Sequence, residues 1–185
     1  MSSNFKLTLI VVATAIGLGS SFVFVASRSH AERQTAAMTL IRDMDNIDQQ
    51  LSQASREFGI ALQQFLDGPE SADPGAVQHA HSTLIRSVDH SIAVVSRLQG
   101  PESDHGDAFI SQQRKFLIVQ RRIIREDFGE LLRLLVDTST PRAQREAAIQ
   151  GIVISAFDET EREFATVHVA REKFASEFAI HLAAK

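Results

Sequence analysis

Residues 40–65 read LIRDMDNIDQQLSQASREFGIALQQF, and the spacing of their apolar side chains decides the fold class. Apolar or small residues fall at Leu40, Met44, Ile47, Leu51, Ala54, Phe58, Ala61 and Phe65, in alternating steps of four and three. That heptad interval lays one apolar seam along an α-helix and leaves the rest of its surface to water. Asp43, Asp45, Asp48 and Glu57 fall off the seam and read as its exposed acidic face. With no proline and only Gly59 inside, the spacing predicts one helix over about residues 32–66. At ~1.5 Å per residue that is a rod of about 50 Å.

Upstream, residues 7–26 read LTLIVVATAIGLGSSFVFVA and contain no charge. An uncharged run of about 20 residues is what a helix needs to cross the hydrocarbon of a bilayer. It predicts a membrane anchor over residues 1–28 and one further domain over residues 29–185. The competing reading is a cleaved signal peptide, with Lys6 in its basic start and Ser29-His30-Ala31 as the cleavage site. The apolar run is longer than the usual ~7–15-residue core of such a peptide, which favours retention. Lys6 argues for an inside amino terminus against the pull of Arg28, Arg33 and Arg42. The expectation is therefore a single-pass protein of the bacterial inner membrane, its domain in the periplasm. Within the run, Ala13, Gly17 and Ser21 recur every four residues, a row that lets two membrane helices approach closely.

Downstream, the first helix ends at Asp67-Gly68-Pro69, where glycine suits the C-cap and proline cannot continue the helix. Asp73 before Pro74 starts a second helix, with a stripe at Val77, His81, Leu84, Val88, Ser91, Val95 and Leu98. Its end, IAVVSRLQGPES, repeats the end of the first, IALQQFLDGPES. The same capping chemistry is used twice. A third helix is predicted from Ser103 or Asp104 to about Val136, burying Phe109, Phe116, Ile123, Phe128, Leu131 and Leu135. After the turn DTSTP, with Thr140 as N-cap, a fourth runs from Pro141 almost to the end. It turns Ile149, Val153, Ala156, Phe157, Phe164, Val167, Phe174 and Phe178 inward. The class is all-α, an antiparallel up-down-up-down four-helix bundle behind a transmembrane helix.

A formal net charge of −4 argues against nucleic acid as a partner, and the absence of cysteine excludes disulfides, thiolate metal sites and thiol nucleophiles. His79 and His81, two apart, point to different faces of one helix, and His90 lies more than two turns beyond His81, so they predict no metal site. Phenylalanines at core spacing predict packing rather than a cofactor pocket, and no nucleophile or phosphate-loop motif points to an enzyme. The candidate binding residues are Arg114, Arg121 and Arg125, on one side of the third helix. Guanidinium groups in a row suit a small anionic ligand, carboxylate or phosphate. The competing reading is ordinary i,i+4 pairing, as Arg122 with Glu126 and Arg133 with Asp137 suggest.

Asn4-Phe5-Lys6 before an apolar span, the long heptad helix, the FLDGPES helix end and the long returning helix together resemble one known arrangement. It is that of the four-helix-bundle sensory modules of bacterial chemoreceptors and membrane histidine kinases. Those receptors carry a second span and an output domain, whereas this sequence stops where the second span would begin. The resemblance implies a dimeric, ligand-receiving extracytoplasmic bundle, and it assigns no binding residue. The expected role is a membrane-anchored, non-enzymatic sensory or binding module of a bacterial signalling system, paired with a second copy or a membrane-protein partner. The alternative is a structural accessory subunit of a larger membrane complex.

Overall fold

The computed structural model describes residues 28–67 and 74–182. They form α1 (Arg28–Asp67), α2 (Pro74–Val95), α3 (Asp104–Arg122), a π-helical turn (Ile123–Asp127), α4 (Phe128–Val136) and α5 (Arg142–Glu177). No strand occurs among the described residues, so the all-α class holds. One expectation is corrected. Among the described residues no helix is long and apolar enough to cross a membrane, because each carries a polar face, and the single-pass inner-membrane localisation is withdrawn. Residues 7–26, on which it rested, lie outside the described residues, as do Ala13, Gly17 and Ser21.

The heptad seam of α1 is buried where the spacing put it: Leu40, Met44, Ile47, Leu51, Ala54 and Phe58 all lie in the core. Ala61 and Phe65, at the end of the seam, are half-buried. Helix α1 packs on α2, α2 on α3, and α3 and α4 on α5. Side-chain partners fix the registers. Phe58 of α1 packs at a tilt against His81 of α2, with ring centroids 5.7 Å apart, and Leu40 lies against Gly100 beyond the other end of α2. Between α3 and α5, Phe109 meets Phe174 at 5.7 Å and Phe116 meets Phe164 at 6.2 Å. At the near end of the same pair Gly106 is buried. A Cβ there would stand 3.2 Å from the Phe174 ring and 3.3 Å from the Pro101 carbonyl, so glycine sets how closely α3 and α5 approach.

Helix ends follow local chemistry. Ser103 is the N-cap of α3, its hydroxyl accepting from the Gly106 N–H at 3.1 Å, and it also donates to Glu177 of α5 at 2.5 Å. Thr140 was expected to cap the last helix. Instead Asp137 organises the turn, accepting from the Ser139 N–H at 2.8 Å and the Ser139 hydroxyl at 2.6 Å. Those bonds, joined by Thr140, hold the Asp137 carboxyl well below the usual carboxylate range. Helix α5 closes with a Schellman pattern, the Ile180 N–H reaching the Ala175 carbonyl at 2.8 Å and the Ala179 N–H reaching Ser176 at 3.1 Å. Ala179 sits there at φ 50°, in the left-handed region.

Candidate functional site

The most irregular element is the π-helical turn that separates α3 from α4. It admits one residue more than an α-helix would, with the Phe128 N–H reaching back five residues to the Ile123 carbonyl. The sequence carried a trace of it. The inward residues Phe109, Phe116 and Ile123 recur every seven, and the next, Phe128, comes after five. The insertion brings Ile123, Ile124 and Phe128 all into the core.

Three contacts hold this turn. The Ile124 carbonyl lies 2.6 Å from His81 Nε2 of α2. A carbonyl only accepts, so Nε2 carries the proton in this bond. Phe58 braces both sides, stacking on Phe128 at 5.4 Å and meeting His81 at a tilt of 44°. Arg122 grips Asp127 with both carboxylate oxygens in reach, at 3.1 and 3.2 Å, and also bonds Glu159 of α5. Burial pulls the Arg122 pKa down, but Asp127 and Glu159 outweigh it and leave the guanidinium above its ordinary value. The sequence suggested Glu126 as the partner, four residues on. The extra residue of the turn moves the facing position to five, where Asp127 stands.

The predicted cation row lies beside this turn. Arg121 and Arg125 converge on one carboxylate, Asp89 of α2, at 3.9 and 2.5 Å. Lys115 pairs with Glu163 of α5 at 3.0 Å. Arg114, the third candidate, stands apart from that pair. It lines a cleft of about 500 Å³ between α3 and the turn after α2, among Ser96, Gln99, Glu102, Asp107 and Ser111. Arg133 turns to Glu130 at 2.6 Å rather than to Asp137. The face therefore joins helices through matched charges, and an anion at Arg121 and Arg125 has to displace Asp89.

Polar residues inside the core were largely missed. Arg171 is only 8 % exposed and pairs with Asp45 of α1 at 2.6 and 3.0 Å. Gln113 donates to Asp48 at 2.7 Å and Gln120 to Thr160 at 3.0 Å. The heptad spacing places Asp45 and Asp48 off the apolar seam, yet both turn to partners on other helices. The signal lay in α5, where Arg171 occupies the interval between Val167 and Phe174, a core position. Among the described residues, the Oε1 atom of Gln120 and the hydroxyl of Ser55 are buried without a hydrogen-bond partner.

Opposite in character is the outer surface of α5. A hollow of about 450 Å³ lies between α3 and α5, floored by Ala108, Ala165 and Ala170 beside Val169. Val169 is 50 % exposed and Ile154, on the same side of α5, 46 %. Among the described residues no group of three or more histidines, aspartates or glutamates is placed to hold a metal. Compared with protein-family models, curated proteins and solved structures, the chain matches none. The likeness to bacterial sensor modules thus rests on the sequence pattern alone.

Proposed function

We propose that the chain is an antiparallel up-down-up-down four-helix bundle that serves as a non-enzymatic, protein-binding sensory module of a bacterial signalling system. The outer face of α5 and the hollow beside it are its contact surface. One observation carries the choice of a protein partner over a small anion. The charged groups around the π turn already neutralise one another, whereas the apolar side chains of α5 face water with nothing over them. Removing such side chains from water drives association at about 25 cal/mol per Å² of apolar surface, and shape and rim polarity set the partner.

The order of pairing supports the topology. Phe58 with His81, Asp89 with Arg125, and Lys115 with Glu163 each link a helix to the one that follows in space. The test is a pull-down with the full chain and with Val169→Asp, read by quantitative mass spectrometry. Wild type should retain a protein partner, a second copy included, that the variant loses while its helical content and melting stay unchanged. Equal retention by both overturns the reading. A fixed stoichiometry with several other chains would favour the accessory-subunit role instead.

A further inference from the structure

A polar seam runs along α1 beside the apolar one. Asp45, Asp48, Ser52 and Ser55 follow one another in steps of three and four, so they share a side of that helix. Asp45 reaches across to Arg171 of α5 and Asp48 to Gln113 of α3, and the two serines are buried in line with them. Ser55 has no such link. Its hydroxyl lacks a hydrogen-bond partner among the described residues, although a serine in a helix can satisfy itself on the carbonyl four residues back, as Ser91 does on Ser87 at 2.9 Å.

The registers bring a matching group to Ser55. Contacts of α1 with α3 and α4 climb together, from Asp48 with Gln113 to Phe58 with Phe128. Ser55 and Gln120 each lie seven residues, two helical turns, beyond the first of these and short of the second, which sets them at one level. Along α5 the numbers fall instead, from Gln34 with Phe178 to Asp45 with Arg171. Thr160 stands eleven residues before Arg171 and Ser55 ten after Asp45, so Thr160 reaches that level too. There it accepts from Gln120 Nε2 at 3.0 Å, and Gln120 Oε1 is left without a partner among the described residues. Turning the amide over changes nothing, because the Thr160 hydroxyl can meet either end of it but not both. Ser55 and Gln120 are each 1 % exposed and Thr160 5 %.

We infer that Ser55, Gln120 and Thr160 form an internal site for one water molecule, which ties α1 to α3 and α5. The inference goes beyond the protein-binding reading and does not depend on it. The water donates to Gln120 Oε1 and accepts from the Ser55 and Thr160 hydroxyls, about three bonds, which is what an internal water ordinarily makes. Buried polar atoms left unmet would each carry the cost of lost hydration, so the site has a reason to fill. Two turns earlier Asp48 spans the same gap unaided, with a side chain one atom longer than serine. A water takes up the difference at Ser55. Leu51 and Leu117 close the level on one side and Phe58 and Ile124 on the other, all of them buried, so the water leaves only when the core opens.

Oxygen-17 magnetic relaxation dispersion on the full chain counts long-lived internal waters and tests the site. Ser55→Asn should lose one of them, because the longer side chain donates to Gln120 Oε1 directly and occupies the place of the water. Gln120→Met should lose the same one by removing the acceptor, and Ser96→Ala, at an exposed serine, should leave the number unchanged. A wild type without a long-lived internal water, or a Ser55→Asn protein that keeps the wild-type number, overturns the inference. Should either core variant fail to fold, a high-resolution crystal structure of the wild type decides: an ordered water within hydrogen-bond distance of all three side chains supports the site, and a direct bond from Ser55 to Gln120 with no water between them overturns it.

Discussion

Ala179 holds a conformation that L-residues with a Cβ disfavour, at φ 50° just past the end of α5. It is kept there by two backbone bonds and by the burial of Phe178 and Ile180 on either side. Ala179→Gly removes the Cβ clash without touching those bonds. It should stabilise the protein by about 1 kcal/mol, read as a rise in the urea midpoint at unchanged slope. A lower midpoint contradicts this account of the cap. Nothing in the sequence marks the position, since the usual glycine is absent. The DTSTP turn was legible as a turn for the opposite reason. Its residues announce local bonding, although which oxygen accepts, Asp137 or Thr140, depends on geometry that composition does not carry.

At the scale of elements, heptad spacing made α1 readable almost to its ends, and the second, third and last helices fall where proline, serine and aspartate punctuate the chain. Leu134 rather than Leu135 is the buried residue near the end of α4, a one-position error of the kind a helical insertion produces. The insertion itself supplies a test. Deleting Glu126, an exposed residue of the π turn, lets the turn relax to α and brings Asp127 four residues from Arg122 while α4 keeps its phase. That deletion should cost no more than about 1 kcal/mol. Deleting Lys115, in regular α3, rotates everything beyond it by about 100° and should cost at least ~3 kcal/mol through exposed core residues. Paired chemical melts of the two variants decide it, and equal losses would mean the turn is not a removable insertion.

For the whole molecule, the rods were legible and their mutual arrangement was less so. Periodicity says which face of a helix is buried but not against what, and the polar links across the core come from residues that look like surface. Arg171 and Asp45 are the clearest case. The backbones of α1 and α5 approach less closely than those of α1 and α2, and the two helices are joined by this pair and by Gln34 donating to the Phe178 carbonyl at 3.0 Å. Their side chains are 10 % and 13 % exposed, so losing one partner leaves a charge in a poorly hydrated site. The most direct measurement of the proposed bundle, in which four rods would close around one core with α1 against α5, is a double-mutant cycle on Asp45→Ala and Arg171→Ala. Each single change should cost about 3 kcal/mol, and the pair should fall short of the sum by about 2 kcal/mol. Costs that add within ~0.5 kcal/mol would place the two residues out of contact and contradict the closed bundle.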